Sequence, residues 1–239
     1  MQNKSFELFF CLERKNTMTV LDQIKGKLIV SCQALPDEPL HSSFIMGRLA
    51  LAATQGGAAG IRAQSKEDIL EIEKNTDLPI IGIVKRNYED SDIYITPTMK
   101  EIDELLETRC EIIALDATKR TRPHHEKVTD LVHRIHEAGR LAMADCSTVE
   151  ECIQAQKDGF DIVSTTLCGY TPYSIQIDGP NFPLMKEVLE KVDVPLIAEG
   201  KINTPQDLKA SLDLGVFAAV VGGAITRPKQ ITERFVAAI

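Results

Sequence analysis

Short apolar runs alternate with longer amphipathic stretches along almost the whole chain. One of these runs, residues 194–198, ends in Glu199 and is broken by Gly200. Further along, after an amphipathic stretch, the run 217–221 leads into two glycines. Short apolar runs bounded in this way are typical of strands that are buried on both faces, as in a parallel sheet.

The alternation of strand and helix repeats eight times. Helix starts are indicated by Thr204-Pro205, a favourable cap followed by Pro at the first helical position, and by Ser147 with Glu150 as a capping box. Eight such units predict an α/β protein with a single (β/α)8 TIM barrel, and the Glu-Gly and Gly-Gly strand ends are typical of its phosphate-binding kind. The predicted strands are residues 27–33, 58–63, 79–85, 112–116, 141–145, 160–166, 194–199 and 217–221.

The length of the chain fits one such barrel. It has 239 residues, close to the roughly 250 of a typical barrel, although a prior of ~150 residues per domain leaves two domains open. We assign residues 18–239 to the barrel. The first seventeen residues do not form a signal-peptide pattern, and we expect them to be a flexible extension that packs weakly.

Composition narrows the class of partner. The net charge of −8 argues against nucleic-acid binding, which favours a basic face. No apolar run approaches the ~20 residues of a membrane span. The six cysteines form no Cys-x-x-Cys pair, so we expect reduced thiols in a cytoplasmic protein. Since neither a metal-ligand pattern nor a glycine-rich dinucleotide motif occurs, we expect no metal and no dinucleotide cofactor.

Polar side chains mark the strand ends, where the chemistry of this fold is located. Solvated loops explain one or two of them, but they explain Lys85 and Glu199, each after an apolar run, less well. Asp116 and Asp145 are either functional or buried partners that orient Arg or Lys. The polar residues at or near the strand ends are Gln33, Arg62, Lys85, Asp116, Asp145, Thr165, Thr166 and Glu199, with Arg227 just beyond strand eight.

The order of the strands gives a geometric prediction. Strands three and seven of an eight-stranded barrel lie opposite each other, so Lys85 and Glu199 should flank a central ligand. Two titratable groups in that arrangement suit removal of a proton from one face and its return to the other, which inverts a stereocentre. We expect burial, Arg62 and Arg86 to lower the pKa of Lys85 and Glu199 to raise it, without being able to rank these effects.

Motifs on all eight strands carry a family resemblance. They are S-C-Q-A at 31–34, G-I-R-A at 60–63, G-I-V-K-R at 82–86, L-D-A-T at 115–118, M-A-D-C-S at 143–147, T-T-L-C-G-Y-T at 165–171, I-A-E-G-K-I at 197–202 and V-G-G-A-I-T-R-P at 221–228. With these motifs the chain, from about residue 18 onward, resembles the bacterial N-acetylmannosamine-6-phosphate 2-epimerases of sialic-acid catabolism.

The resemblance implies an activity and roles for residues. The family interconverts N-acetylmannosamine 6-phosphate and N-acetylglucosamine 6-phosphate by inverting C2, without a metal or organic cofactor. It implies that Lys85 is the catalytic lysine and Glu199 its acidic partner. The positions implied to contact substrate are Gln33, Arg62, Asp145 and Arg227, the last on the phosphate side.

Glycines at the strand ends suit the phosphate. Missing side chains at Gly200, Gly222 and Gly223 would let backbone amides approach it closely. We expect the protein to be a homo-oligomer, a dimer, with a phosphorylated N-acetylhexosamine as its substrate.

Two other functions stay open at this point. Lys85 has the chemistry of a Schiff-base aldolase or lyase that acts on a phosphosugar. A non-catalytic phosphosugar-binding regulator is the alternative from another class, but binding alone requires neither Lys85 nor Glu199.

Overall fold

Eight parallel strands form a closed barrel in the computed structural model, which describes residues 19–239. They follow one another around the barrel in chain order, and β8 pairs with β1. This confirms the predicted (β/α)8 barrel, whereas the predicted extension 1–17 lies outside the described residues. The strands are β1 Leu28–Cys32, β2 Gly60–Gln64, β3 Ile80–Ile83, β4 Ile112–Asp116, β5 Leu141–Asp145, β6 Ile162–Ser164, β7 Leu196–Glu199 and β8 Ala218–Val221.

Nine of the ten α-helices among residues 19–239 follow a strand and cover the outside of the barrel, whereas the first precedes β1 and packs through Ile24 against the side chains inside the barrel. None of the described helices is both long and apolar enough to cross a bilayer. The helices are α1 Val20–Ile24, α2 Ser43–Gln55, α3 Lys66–Ile72, α4 Met99–Leu106, α5 Val128–Glu137, α6 Val149–Lys157, α7 Phe182–Lys191, α8 Pro205–Asp213, the short α9 Gly223–Thr226 and α10 Pro228–Val236.

The alternation of side chains along each strand produces two hydrophobic layers. In β5, Met143 belongs to the cluster inside the barrel, whereas Ala142 and Ala144 belong to the cluster between strands and helices. Both faces of each strand are therefore buried, which explains why the strands appear in the sequence as continuous apolar runs.

Two strands end two residues earlier than predicted. β3 ends at Ile83 rather than at residue 85, and β6 ends at Ser164 rather than at residue 166. In β6 the cause is Thr165, whose hydroxyl donates to the Glu199 carbonyl at 2.7 Å and accepts from the Glu199 amide at 3.0 Å. The Thr165 amide still donates to the Ile197 carbonyl at 3.4 Å, but its hydroxyl takes the next rung of the ladder in place of the backbone.

The helix after β5 starts one residue later than predicted. Its cap is Thr148 rather than Ser147, and Glu151 rather than Glu150 completes the capping box. The Glu151 carboxylate also accepts from the Ser147 amide at 2.7 Å and from the Tyr173 hydroxyl at 2.6 Å. The prediction placed the box at the wrong pair because Ser147 and Thr148 are both good caps, and tertiary contacts to Glu151 selected the second.

The chain beyond β3 forms a β-hairpin, residues 85–96, where the sequence indicated only a polar loop. Lys85 pairs with Ile95 in an antiparallel bridge, and Tyr88 pairs with Ser91 near the tip. At its base the Thr96 amide donates to the Val84 carbonyl at 2.7 Å. We call this segment the β3 hairpin.

Candidate active site

A cleft of about 400 Å³ opens at the C-terminal ends of the strands, a volume within the usual range for small-molecule sites. Eight of the nine predicted site residues line it. They are Gln33, Arg62, Lys85, Glu199, Gly200, Gly222, Gly223 and Arg227. The ninth, Asp145, is fully buried behind the lining.

The β3 hairpin holds Lys85 at the edge of the cleft. Besides the bridge to Ile95, the Arg86 amide donates to the Tyr94 carbonyl at 2.9 Å. The Arg86 side chain turns away from the cleft and pairs with Glu101 and, at 3.0 Å, with Glu104 on α4. Because both arms of the hairpin are held in this way, the backbone that carries Lys85 is firmly placed.

Burial and two arginines make the amine of Lys85 less basic than that of an ordinary lysine. Burial lowers its pKa to about 8, with Arg227 and Arg62 acting in the same direction and the carboxylates of Glu199 and Glu38 opposing them. Those two carboxylates already pair with arginines, Glu199 with Arg62 and Glu38 with Arg227. The expected effect of Arg86 on Lys85 is wrong, since the guanidinium of Arg86 points to α4, and Arg227 takes that role.

Arg62 lies at the centre of a buried charge cluster. Its guanidinium donates to both oxygens of Asp145, at 3.1 and 2.5 Å, and pairs with Glu199 at 3.0 Å. The side chain is only 1% exposed, and its Nε has no partner among the described residues. Arg62 is thus a fixed positive charge whose side chain is almost completely shielded from solvent.

Threonine and serine hydroxyls hold the carboxylates of this cluster. Thr166 donates to Asp145 at 2.8 Å and to Glu199 at 3.1 Å, and Ser164 donates to Asp145 at 3.1 Å. Asp145 is therefore a partner of Arg62 rather than a wall of the cleft, contrary to the expectation that it contacts substrate. Its neighbour in register, Asp116, is likewise buried and pairs with Arg120 at 2.5 Å.

The pKa of Glu199 is shifted in the opposite direction to that of Lys85. Burial raises the pKa of the Glu199 carboxyl above its usual range, Arg62 opposes this shift, and the neighbouring Asp145 carboxylate adds to it. β3 and β7 lie opposite each other in the closed barrel. The cleft thus combines an amine whose pKa is lowered with a carboxyl group whose pKa is raised, so both titrate near neutrality.

The ends of β7 and β8 form a polar, open end of the cleft. Gly200 has a φ of +103°, which disfavours any other residue. A Cβ on Gly222 would lie 3.3 Å from the Cβ of Ser31. Arg227 follows α9 and pairs with Glu38 at 3.0 Å in a half-buried position. Because the ion pair between Arg227 and Glu38 is only half-buried, the Arg227 guanidinium can leave Glu38 and bind an anionic ligand instead.

Sequence reasoning missed two residues of the site. Tyr94 lines the cleft from the β3 hairpin, and Glu38 holds Arg227 from the loop after β1. The hairpin pairing that brings Tyr94 next to Lys85 leaves no periodic signal, since residues 86–94 are mostly polar. Gln33, which was predicted, lines the cleft with its amide donating to Ser31 at 2.9 Å.

Comparison with known proteins identifies the relatives of this chain. Residues 46–239 match the model of the family described as "Putative N-acetylmannosamine-6-phosphate epimerase". The chain belongs to this family. The family resemblance that the strand-end motifs carry is thereby confirmed.

Individual members of the epimerase family match over nearly their full length. A "Putative N-acetylmannosamine-6-phosphate 2-epimerase" of Clostridium perfringens is 68% identical over 216 residues, 90% of this chain and 98% of the relative. One of Clostridioides difficile is 63% identical over 220 residues, 92% and 99% of the two chains. The solved structure of the N-acetylmannosamine-6-phosphate 2-epimerase from Clostridium perfringens superposes with a TM-score of 0.93 at 65% identity, covering 95% of this chain and 99% of that one.

Proposed function

We propose that this protein inverts C2 of N-acetylmannosamine 6-phosphate to give N-acetylglucosamine 6-phosphate, in the catabolism of sialic acid. The observation that carries the proposal is the placement of Lys85 and Glu199 in one cleft, with pKa values shifted toward neutrality from opposite directions. An acid and a base that both titrate near the working pH are what proton transfer at carbon requires.

The chemistry follows from the acidity of the C2 proton. In the closed sugar this proton is not acidic, but ring opening exposes an aldehyde at C1 and places C2 next to a carbonyl. The neutral amine of Lys85 takes the proton and becomes an ammonium. The C2–H electron pair forms the C1–C2 double bond and the carbonyl pair moves onto the C1 oxygen, which gives an enolate that keeps the acetamido group on C2. Glu199, from the β7 side, returns a proton to the other face of C2, which inverts the centre.

Arg62 stabilises the negative charge that develops on the C1 oxygen. Its guanidinium is held by Asp145 and Glu199 before substrate binds, so little reorganisation is required during the reaction. The buried Nε, which has no partner among residues 19–239, is a further donor for oxygen. In this proposal Asp145 and Thr166 are positioning residues, since they act through Arg62 and Glu199.

The phosphate group lies at the ends of β7 and β8. We assign it to Arg227 and to the backbone at Gly200, Gly222 and Gly223, where the absence of side chains leaves the peptide groups accessible. Loops after strands seven and eight, together with a short extra helix such as α9, form the phosphate site in many barrels. Gln33, directly after β1 and so next to the β8 end, contacts the sugar hydroxyls between the two ends.

Deuterium exchange tests the proposed function. In D2O, purified protein should move deuterium into C2 of both N-acetylhexosamine 6-phosphates as it interconverts them, which proton NMR follows directly. We propose that no metal or organic cofactor takes part, so activity should survive EDTA and dialysis. Loss of activity in EDTA that a divalent metal restores would overturn the cofactor-free part.

Borohydride trapping separates an epimerase from a Schiff-base enzyme. Reduction in the presence of substrate should leave the mass of Lys85-containing peptides unchanged, because proton transfer needs no imine. A stable sugar adduct on Lys85, or an absence of exchange at C2, would reject the epimerase mechanism.

The C-terminal helix supports a proposed homodimer. No residue of α10 is buried, and Phe235 and Val236 are 74% and 61% exposed, with Ile239 just beyond them. A second copy of the chain would cover this apolar end. Light scattering at micromolar concentration should give twice the chain mass, and Phe235→Glu should shift it toward the monomer. We also propose a cytoplasmic location, where the five described cysteines, all free and buried, stay reduced.

A further inference from the structure

The floor of the cleft is apolar. Ile83, Ile95, Leu167 and Val220 belong to the hydrophobic cluster inside the barrel, and all four also line the cleft. Each is nearly inaccessible to solvent. The ring of Tyr94 packs against the same cluster and lines the cleft as well. The interior core of the barrel therefore continues into the cleft as an apolar floor, which we define by these five residues.

Tyr94 is the polar residue of this floor. Its carbonyl accepts from the Arg86 amide at 2.9 Å, so the backbone is fixed in the β3 hairpin. The side chain is half-buried, and its hydroxyl has no hydrogen-bond partner among the described residues. In contrast, the hydroxyl of Tyr88 on the same hairpin donates to Glu101 at 2.9 Å, away from the cleft. Because Tyr94 lines the cleft and its hydroxyl has no partner among the described residues, that hydroxyl is available to a ligand.

The position of Lys85 determines which part of the substrate meets the floor. Lys85 and Ile95 are directly paired across the hairpin, and Tyr94, next to Ile95, lines the cleft with them. If Lys85 takes the proton from C2, the nitrogen substituent on C2 is one bond away from the reacting carbon. The phosphate, on C6, lies at the Arg227 end. The acetamido group then lies next to the part of the floor that the β3 hairpin contributes, and its methyl is the one apolar substituent of the sugar.

We propose that Tyr94, with Ile95 and Leu167, forms the subsite for the acetamido group and makes the enzyme specific for N-acylated amino sugars. This inference rests on the proposed function. The methyl group packs on the aliphatic side chains and the tyrosine ring, and the Tyr94 hydroxyl donates to the amide carbonyl. A free amine at C2 would bring an ammonium group next to Arg62 and Lys85, in a site that gives it no carboxylate without an arginine partner.

An N-formyl substrate tests the subsite, because it lacks only the methyl group. A methyl or methylene group in an apolar pocket changes kcat/KM by roughly 10–200-fold. We expect the wild type to prefer N-acetylmannosamine 6-phosphate over the N-formyl analogue by at least ~10-fold. Tyr94→Ala should reduce that ratio to about 3 or less, because the wall that contacts the methyl is gone.

Tyr94→Phe separates the ring from the hydroxyl. It should keep the acetyl-to-formyl ratio, since the ring remains, while kcat/KM for both analogues falls about 3–10-fold through the loss of one hydrogen bond. This variant is nearly isosteric and also serves if Tyr94→Ala does not fold.

Tyr88→Ala is the matched control, since it perturbs the same hairpin from its other side. It should change kcat/KM for both analogues by the same factor and leave the ratio unaltered. An unchanged ratio in Tyr94→Ala, or an equal loss of ratio in Tyr88→Ala, would overturn the subsite. An inactive wild type would instead refute the proposed function, so the two failures are distinguishable.

Discussion

The pH dependence of kcat/KM tests the proposed pair of proton-transfer groups most directly. In the free protein the pKa of Lys85 is lowered to about 8 and that of Glu199 is raised to about 7. Lys85 must be a neutral amine to accept a proton, a form that grows as pH rises. Glu199 must be protonated to return one, a form that is lost as pH rises. We therefore expect a bell-shaped profile whose maximum lies between these two values.

The size of the change in kcat/KM with pH follows from the two pKa values. At pH 7.5 the fraction of enzyme with neutral Lys85 and protonated Glu199 is about 6%, and at pH 6 or pH 9 it is about 0.9%. kcat/KM should therefore be about sixfold lower at pH 6 and at pH 9 than at pH 7.5. With an ordinary lysine pKa of 10.5, the neutral fraction of Lys85 at pH 7 would be about 300-fold smaller.

The assay measures initial rates in H2O buffers of constant ionic strength. The kcat/KM values are corrected for the ionisation of the substrate phosphate, whose second pKa is near 6. Arg227→Gln removes a cation that lowers the pKa of Lys85, so the upper limb should move to higher pH and the maximum should fall. Arg86→Gln is the matched control, because Arg86 pairs with Glu101 and Glu104 instead. Its profile should keep both limbs.

Three outcomes would refute parts of this reasoning. A flat profile from pH 6 to pH 9 would exclude both groups as the titrating pair. A profile that rises without an upper fall would retain Lys85 as the base but exclude protonated Glu199 as the acid. An unmoved upper limb in Arg227→Gln, or a shifted one in Arg86→Gln, would show that the limb does not belong to Lys85.

Three further predictions concern single residues. Lys85→Ala and Glu199→Ala should each lower kcat by at least ~100-fold with the fold retained; exchange of deuterium into one epimer alone in either mutant would support transfer on two faces, and near-wild-type turnover of Lys85→Ala would remove the mechanism. Arg227→Ala should raise KM for the phosphorylated sugar about 10–100-fold, much more than it lowers kcat, and equal turnover of the unphosphorylated sugar by the wild type would contradict the phosphate site. Asp145→Ala should lower the free energy of unfolding by about 3–5 kcal/mol, because it removes the bidentate partner of a buried guanidinium. Arg227→Ala removes a half-exposed pair with Glu38 and should lower the free energy of unfolding by about 1 kcal/mol or less. Urea titration of both variants measures the two values.

Much of the fold and of the candidate site follows from the sequence alone. Strands buried on both faces must be continuous apolar runs, so the eight runs predicted the eight strands and the closed parallel barrel. In such a barrel the strand ends converge, which brought residues as distant in sequence as Gln33 and Arg227 into one cleft. These features depend on the hydrophobic periodicity and on the order of the strands along the chain, and both can be read from the sequence.

The tertiary structure decided which groups act on each other. That Arg62 binds both Asp145 and Glu199, and that Asp145 lies behind the cleft, depends on side chains from β2, β5 and β7 meeting at one depth. The neighbour of Lys85 that lowers its pKa is Arg227, 142 positions away, rather than Arg86 beside it. Electrostatic interaction depends on distance in space and on burial, and neither is a function of separation along the chain.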